Sequence, residues 1–146
     1  MTPDNDCLAT PTGSASSSED AEPVLFFDYN FGRKVPDAMR AAGMRCEWHR
    51  DHFAQNTSDE EWLTQVGARG WFVITKDYRI GHRVNEIEAL RNAKVGAFVL
   101  ASDGLTANEM IEALTKALPK IRSFIEDHQR PFIAKFYRDG KLISWK

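Results

Sequence analysis

The chain has 146 residues, of which 42% are hydrophobic and 27% charged, and its formal net charge is −2, which together predict one soluble domain with a modest core. Its N-terminus lacks the basic and apolar regions of a signal peptide, and no apolar run approaches the roughly 20 residues of a membrane helix, so we expect it to be neither secreted nor membrane-spanning. Cys7 and Cys46 form no paired spacing, so the sequence indicates no disulfide framework or zinc finger and fits a reducing cytoplasm.

The first 22 residues differ in composition from the rest of the chain. They carry five acidic side chains, no Lys or Arg, and a run of Thr, Gly, Ser and Ala at residues 12–18. Because such a segment has almost nothing to bury, residues 1–22 are predicted to be a disordered tail and residues 23–146 a single domain. Without the tail, 19 basic residues face 16 acidic ones, and a net charge of +3 permits contact with a polyanion without demanding it.

After the tail, strand and helix patterns alternate. Short apolar runs predict four strands, at residues 24–27, 44–48, 71–75 and 95–100. Apolar side chains at helical spacing predict helices at about residues 35–42, 58–66 and 83–91. Gly43 is placed to end the first helix, and Ser58 with Glu61 forms a capping box that opens the second. The polar stretch 49–57 is predicted to be a loop.

The C-terminal part predicts a helix and a hairpin. A second capping box, Thr106 with Glu109, precedes apolar residues at helical spacing up to residue 118. Pro119 is predicted to interrupt this helix and to begin a second segment, since proline is tolerated in a first turn. Residues 132–138 and 141–145 alternate around the turn signal Asp139-Gly140, which predicts a hairpin.

Four apolar strands separated by helices predict an α/β fold. The expected architecture is a three-layer α/β/α sandwich, with a central, mainly parallel sheet built from right-handed crossovers and the hairpin added at one edge. Sheets of this kind bind ligands at the carboxyl ends of their strands. Candidate functional residues are therefore sought at that edge.

Three aspartates are predicted to meet there. Asp28 and Asp77 follow the first and third strands, and Asp59 begins a helix whose N-terminus reaches the same edge. Clustered carboxylates repel one another and therefore take up protons or recruit a divalent metal, and oxygen ligands suit Mg²⁺ or Mn²⁺. Each aspartate also has a structural interpretation, as a turn former or helix-start residue, and the set of three favours the metal site.

Other polar residues surround this predicted site. Asn30 shares the strand face of Asp28 and could orient it or hold a metal-bound water, with an Asx turn as the alternative. Lys76, Arg79 and Arg83 are candidates for binding phosphates, with a solvated basic helix start as the alternative for the two arginines. The sequence Glu47-Trp48-His49-Arg50-Asp51-His52 is predicted to be a solvated loop rather than a metal site, and the four tryptophans to be packing residues.

The order of these motifs resembles that of the compact PIN-like domains related to VapC-type ribonuclease toxins of toxin–antitoxin systems. The segments that carry the resemblance are DYN at residues 28–30, VPDAMRAAG at 35–43, SDEE at 58–61, VITKDYRI at 73–80 and NE at 85–86. Each motif is short, and their order and spacing together are specific. The resemblance covers about residues 24–100.

The resemblance implies a Mg²⁺- or Mn²⁺-dependent endoribonuclease that hydrolyses RNA with metal-activated water. It assigns the metal and the catalysis to Asp28, Asp59 and Asp77, and it suggests an antitoxin partner and a homodimer. Many relatives have Glu where this chain has Tyr29, and for the fourth acidic residue of larger PIN domains the nearest candidates are Glu60 and Glu61.

A binding or regulatory role is the alternative. The chain would then be a catalytically inactive PIN-like scaffold that binds RNA or protein. A phospho-acceptor receiver is disfavoured because the first strand is followed by a single Asp with Asn30 rather than by an acidic pair. A phosphatase of the D-x-D type is disfavoured because Asn30 cannot act as the general acid.

Overall fold

The computed structural model describes residues 22–76 and 84–145, without the side chains of Val84 and Asn85. The strands are β1 (Val24–Phe27), β2 (Arg45–Trp48), β3 (Phe72–Thr75), β4 (Gly96–Leu100), β5 (Phe132–Phe136) and β6 (Leu142–Ser144). The helices in this part of the chain are α1 (Lys34–Ala41), α2 (His49–His52), α3 (Asp59–Ala68), α4 (Val84–Asn92) and α5 (Ala107–Asp127). None of these helices is both long enough and apolar enough to cross a bilayer.

The strands form one six-stranded sheet in the order β2-β1-β3-β4-β5-β6. Neighbouring strands from β2 to β5 pair in parallel, and β6 returns antiparallel to β5 at the edge. The predicted α/β fold with a mainly parallel sheet is confirmed. The sheet has one more parallel strand than predicted, because the first strand of the C-terminal hairpin pairs with β4.

Two hydrophobic clusters lie on opposite faces of the sheet. Successive side chains of a strand point to opposite faces, so Leu25 and Phe27 join one cluster and Phe26 joins the other. The first cluster packs against α1 and α5 and the second against α3 and α4, each through buried aliphatic residues. Helices on both faces make the three layers, and burial of this apolar area is the main force that stabilises them.

Local signals set several element ends as predicted. Thr106 and Glu109 form the predicted reciprocal capping box at the start of α5. At the start of α3 the Ser58 hydroxyl accepts a hydrogen bond from the Glu61 backbone N–H, which is one half of the predicted capping box. Gly43 has a φ of 98° just after α1, a conformation that most side chains disfavour. The predicted hairpin is present, but residues 137–141 connect β5 and β6, which is a longer connection than the two-residue Asp139-Gly140 turn that was predicted; the Gly140 backbone N–H donates to the Tyr137 carbonyl.

Two local predictions were wrong. Pro119 lies inside the single helix α5, because Ala117 and Ile121 on either side of it are both fully buried against the sheet, and their packing outweighs one lost backbone hydrogen bond. The stretch after β2 begins with the short helix α2 rather than a loop. The tail prediction falls on residues 1–22, of which Glu22 alone is described; its carboxylate lies 3.3 Å from Nη2 of Arg122.

Gly67 lies in α3 at a close approach to Ala93, the residue that follows α4. A Cβ at this position would overlap the backbone oxygen of Ala93. In an open helix, Gly→Ala stabilises by roughly 0.5–1 kcal/mol. Here we expect Gly67→Ala to destabilise the domain by about 1–3 kcal/mol, which lowers the melting temperature by roughly 5–10 °C in thermal unfolding followed by circular dichroism.

Gly32→Ala is the matched control for this substitution. A Cβ at Gly32 would have no heavy atom within 4 Å, and its backbone is not left-handed. We expect its melting temperature to stay near that of the wild type. Equal melting temperatures for the two variants would show that α3 and α4 can move apart to accept the added methyl group without a loss of stability.

Candidate functional site

Asp28 directly follows β1 at the carboxyl edge of the sheet and is 4% exposed. Its carboxylate accepts hydrogen bonds from the Thr75 hydroxyl, from the Asn30 backbone N–H at 3.0 Å and from Asn30 Nδ2 at 3.4 Å. Burying a carboxylate is costly unless donors compensate for lost water. These donors offset that cost and fix the orientation of the carboxylate.

The partners of Asp28 come from two elements. The register pairs Phe27 with Ile74, so the residues that follow them, Asp28 and Thr75, lie side by side. Asn30 makes both the Asx-type backbone contact and a side-chain contact, so the orienting role and the turn role predicted for it coexist. Sequence reasoning missed Thr75, whose signal is a hydroxyl at the end of an apolar strand.

Asp59 is the first residue of α3, whose N-terminus lies at the same edge. Its carboxylate accepts a hydrogen bond from Trp62 Nε1 at 3.0 Å. Asp59 also lines a pocket of about 320 Å³ between α3 and α4, together with Glu60, Glu86 and Glu88. Glu61, the other candidate for a fourth acidic residue, is not among the lining residues.

Glu86 is an acidic neighbour of Asp59 that sequence reasoning did not place. It lies in the first turn of α4, 27 residues after Asp59 in the sequence. The two residues line the same pocket, which lies between α3 and α4. The available signal was the NE motif at residues 85–86, which was part of the resemblance without an assigned role. The carboxylates therefore extend from the sheet edge toward α4.

His49 lies between the surroundings of Asp28 and Asp59 and is fully buried. Its ring centroid is 5.2 Å from that of Tyr29, which follows Asp28, and 5.4 Å from that of Trp62, which donates to Asp59. The prediction of a solvated loop was wrong for His49, because aromatic rings from several elements enclose it.

The imidazole of His49 has no hydrogen-bond partner on either ring nitrogen among the described residues. Burial lowers the pKa of His49 below 6.5, and the nearby Asp59 carboxylate partly opposes this shift. The imidazole is therefore held neutral in the native state at neutral pH, and its one N–H has no acceptor in residues 22–76 and 84–145.

This environment predicts an acid-sensitive contribution to stability. The pKa of His49 is lower in the folded than in the unfolded state, so the unfolded chain binds more protons as pH falls below about 6.5. Stability from this residue is present above that pH and is lost as pH falls toward the folded-state value. We expect His49→Phe to stabilise the domain at pH 5 by about 1–3 kcal/mol and to flatten the pH dependence.

The measurement is urea unfolding of both proteins between pH 5 and pH 8. His128→Phe makes the same substitution at an exposed histidine just after α5, whose ring stacks on Phe124, and it serves as the control for the substitution itself. A wild-type slope in His49→Phe would exclude His49 as the source of this pH dependence.

Part of the predicted site lies outside the described residues, namely Asp77, Arg79 and Arg83. Lys76 is exposed just after β3, and its Nζ lies 5.8 Å from the ring centroid of Phe31. Among the side chains that the structure describes, no three from His, Cys, Asp and Glu are grouped closely enough to hold a metal ion. The described part of the chain thus places two predicted ligands, Asp28 and Asp59, at one edge.

The donor chemistry at this edge fits a hard divalent cation. Asp28 and Asp59 each offer carboxylate oxygens, which Mg²⁺ and Mn²⁺ prefer over nitrogen or sulfur ligands, and the described side chains by themselves do not complete a set of three such ligands. The imidazole of His49 is enclosed at this edge by the aromatic rings of Tyr29, Phe53 and Trp62. Oxygen ligands are therefore what the acidic side chains at this edge would supply to an ion.

Comparison with known proteins identifies the family. A family described as PIN like domain matches residues 23–102, from just before β1 to just after β4, which is more than half of the chain. The match includes Asp28, Asp59 and Glu86. No curated protein and no solved structure matches the chain. The six-stranded α/β fold agrees with this assignment, and the chain belongs to the family of PIN-like domains.

Proposed function

We propose that the protein is a metal-dependent endoribonuclease that hydrolyses RNA phosphodiesters with water. The observation that carries the proposal is Asp28, a buried carboxylate held by Thr75 and Asn30 at the ligand-binding edge of a PIN-like fold. A carboxylate oriented this firmly at a sheet edge suits a metal ligand better than a structural turn, which would need no buried charge.

Each residue has a distinct role in the proposal. Asp28, Asp59 and Asp77 would hold Mg²⁺ or Mn²⁺, and Glu86 would add negative charge beside Asp59. A bound ion supplies Lewis acidity toward the phosphate and lowers the pKa of water. Asn30 and Thr75 keep Asp28 in place.

Substrate phosphates are assigned to three cations, Lys76, Arg79 and Arg83. Lys76 follows β3 and therefore lies at the same edge as Asp28. Cations beside the carboxylates would hold the polyanionic strand and neutralise charge as it develops on the phosphate. No protein nucleophile is required.

We extend the proposal to the biological role of a VapC-type toxin in the cytoplasm, neutralised by an antitoxin protein and assembled as a homodimer. The order of motifs from residue 28 to residue 86 supports it. Expression of the chain in a bacterial host should arrest growth, and expression of Asp28→Asn should not. Wild-type growth with full-length protein present would refute the toxin role.

A catalytically inactive scaffold that binds RNA or protein is the second candidate. The observation that favours it is that the oxygens of Asp28 already accept hydrogen bonds from Thr75 and Asn30, together with Tyr29 in the place where many relatives have Glu. On this proposal the buried carboxylate stabilises the strand end and holds no metal.

The experiment that separates the two candidates is a cleavage assay on a labelled single-stranded RNA. The purified chain is incubated with Mn²⁺, with Mg²⁺ or with a chelator, and a DNA of the same base sequence serves as the substrate control. Cleavage of RNA that requires the ion supports the nuclease. If the RNA stays intact in all conditions, even when the protein and the RNA are at equal concentration, the nuclease proposal is refuted and the scaffold proposal remains.

A further inference from the structure

Three cations lie at the carboxyl edge of the sheet beside Asp28. We call Arg33, Arg50 and Lys76 the basic rim. Arg33 comes between β1 and α1, Arg50 lies in α2 after β2, and Lys76 follows β3, so all three lie at the same edge. Because β1 lies between β2 and β3, these residues flank Asp28 across three strands, a width of roughly 10 Å.

Aromatic faces hold the cations of the basic rim. The guanidinium carbon of Arg33 lies 4.6 Å from the ring centroid of Trp48, and that of Arg50 lies 5.8 Å from the same ring. Lys76 Nζ lies 5.8 Å from the ring of Phe31. The indole N–H of Trp48 donates to the Phe31 carbonyl at 2.9 Å, which fixes the indole under the two arginines. The cations are thereby preorganised.

The basic rim carries excess positive charge. Arg33 pairs with Asp51 at 2.9 Å, while Arg50 and Lys76 form no ion pair with any carboxylate that the structure describes. The side chain of Arg33 remains 53% exposed, and Arg50 and Lys76 are also exposed. A guanidinium has five N–H donors, so even Arg33 keeps donors for a second anion.

Trp48 is 8% exposed and therefore has little free face on which a nucleotide base could stack. Its contribution is to hold the guanidinium groups, which match phosphate oxygens in a planar, two-point geometry. Such contacts read the backbone of a nucleic acid and not its base sequence.

We propose that Arg33 and Arg50, held on Trp48, bind backbone phosphates of the RNA strand beside Asp28, with Lys76 continuing the same path on the other side. This deepens the proposed function and rests on it for the identity of the polyanion. Neither arginine was among the residues assigned to substrate from the sequence, because their common contact with Trp48 appears only in the folded chain.

The test is the affinity of the full-length chain for a labelled single-stranded RNA, measured by fluorescence anisotropy in the presence of chelator at several salt concentrations. Each phosphate contact to a single strand contributes about 0.7 to the slope of log affinity against log salt. The double variant Arg33→Gln with Arg50→Gln should lower that slope by about 1.4 and weaken binding roughly tenfold or more at about 0.1 M salt.

A matched pair of arginines exists at the opposite edge of the sheet. Arg69 lies 5.0 Å from the ring of Trp71 and Arg130 lies 5.6 Å from that of Phe72, both near the amino end of β3. The double variant Arg69→Gln with Arg130→Gln removes the same charge and the same kind of aromatic contact. It should keep the slope and affinity of the wild type.

A charge-conserving double variant, Arg33→Lys with Arg50→Lys, completes the set. It should keep the salt slope and lose several-fold in affinity, since lysine lacks the planar fork of arginine. An unchanged slope in the Arg33/Arg50 glutamine variant, or an equal loss of slope in the Arg69/Arg130 variant, would overturn the assignment. So would a wild-type chain that binds no RNA.

The two proposals fail separately, because binding is measured without a metal ion. A chain that binds RNA through the basic rim but cleaves none with Mn²⁺ supports the rim and refutes the nuclease. In the opposite case, the wild-type chain cleaves RNA and the Arg33/Arg50 glutamine variant binds RNA as tightly as the wild type. That result refutes the role of the basic rim and still supports the nuclease proposal.

Discussion

Asp28→Asn is expected to lower the rate of Mn²⁺-dependent RNA cleavage at least about 100-fold. Loss of groups that only orient a metal ligand costs about 10–100-fold, and loss of the ligand's own charge should cost at least as much. Asparagine has the shape of aspartate, and its one carbonyl oxygen can accept the hydrogen bond from the Thr75 hydroxyl. Its Nδ2 group then faces the Asn30 backbone N–H, which donates to Asp28 in the wild type, so we expect the fold to be kept with a modestly lower melting temperature. Initial rates on a labelled RNA measure the effect.

Two further variants provide an intermediate case and a control for the Asp28→Asn prediction. Thr75→Val keeps the side-chain shape but removes the hydroxyl that donates to Asp28, and we expect a loss of about 10–100-fold. Asp127→Asn makes the same chemical change at the exposed C-terminal end of α5 and should cleave at the wild-type rate. Wild-type cleavage by Asp28→Asn would remove Asp28 from the site.

Mn²⁺ is expected to stabilise the native state against thermal unfolding. In the proposed function the ion would bind carboxylates of the folded chain and would have no comparable site in the unfolded chain, so the gain would follow RT ln(1 + [L]/Kd). It amounts to about 2.7 kcal/mol when the free ion is at roughly 100 times its Kd. Mn²⁺ should bind more tightly than Mg²⁺ to the same oxygen ligands. Differential scanning calorimetry at neutral pH measures this effect.

Calorimetry tests whether Asp28 and Asp59 bind the ion, whereas a cleavage rate also depends on substrate binding and on the chemical step. Either aspartate replaced by Asn should lose most of the metal-induced rise in melting temperature, whereas Asp127→Asn should keep it. No rise for the wild type in millimolar Mn²⁺, or an equal rise in Asp28→Asn, would mean that the aspartates are a turn and a helix-start residue, as the scaffold proposal holds.

Much of the fold could be predicted because its signals are local. The capping box at Thr106 and the hairpin around Asp139-Gly140 each depend on a few neighbouring residues, and the chain contains both. The α/β class followed from the alternation of apolar runs with helical patterns, since buried parallel strands need helices on both faces. The PIN-like family followed from the order of short motifs, which the family match bears out.

The wrong and missed predictions concern contacts between distant residues. His49 appeared to lie in a polar stretch, but Phe26 and Trp62, which enclose it, come from other segments. Pro119 carries a local signal for a helix end, which the packing of α5 on the sheet overrides. Thr75 contacts Asp28 across 47 residues through the register of β1 and β3, which no local pattern specifies.

The candidate site could be predicted only in part, because some of its residues are placed by the topology of the sheet and others by contacts between distant helices. Asp28 and Asp59 lie at the expected edge because strand ends and helix starts of a parallel sheet converge there. The pocket that Glu86 forms with Asp59, and the cations held on Trp48, depend on how α4 and α2 pack. Asp77, Arg79 and Arg83 stay predictions.

The chemistry of the RNA ends tests the proposed hydrolysis most directly. A single-stranded RNA cleaved with Mn²⁺ is analysed by mass spectrometry, beside an RNA with 2′-deoxy sugars at the cut site. Attack by water predicts phosphate monoester and free hydroxyl ends, cleavage of both substrates, and none with chelator. Ends with 2′,3′-cyclic phosphate, loss of cleavage on removal of the 2′-hydroxyl, or equal cleavage with chelator would contradict metal-dependent hydrolysis at Asp28 and Asp59.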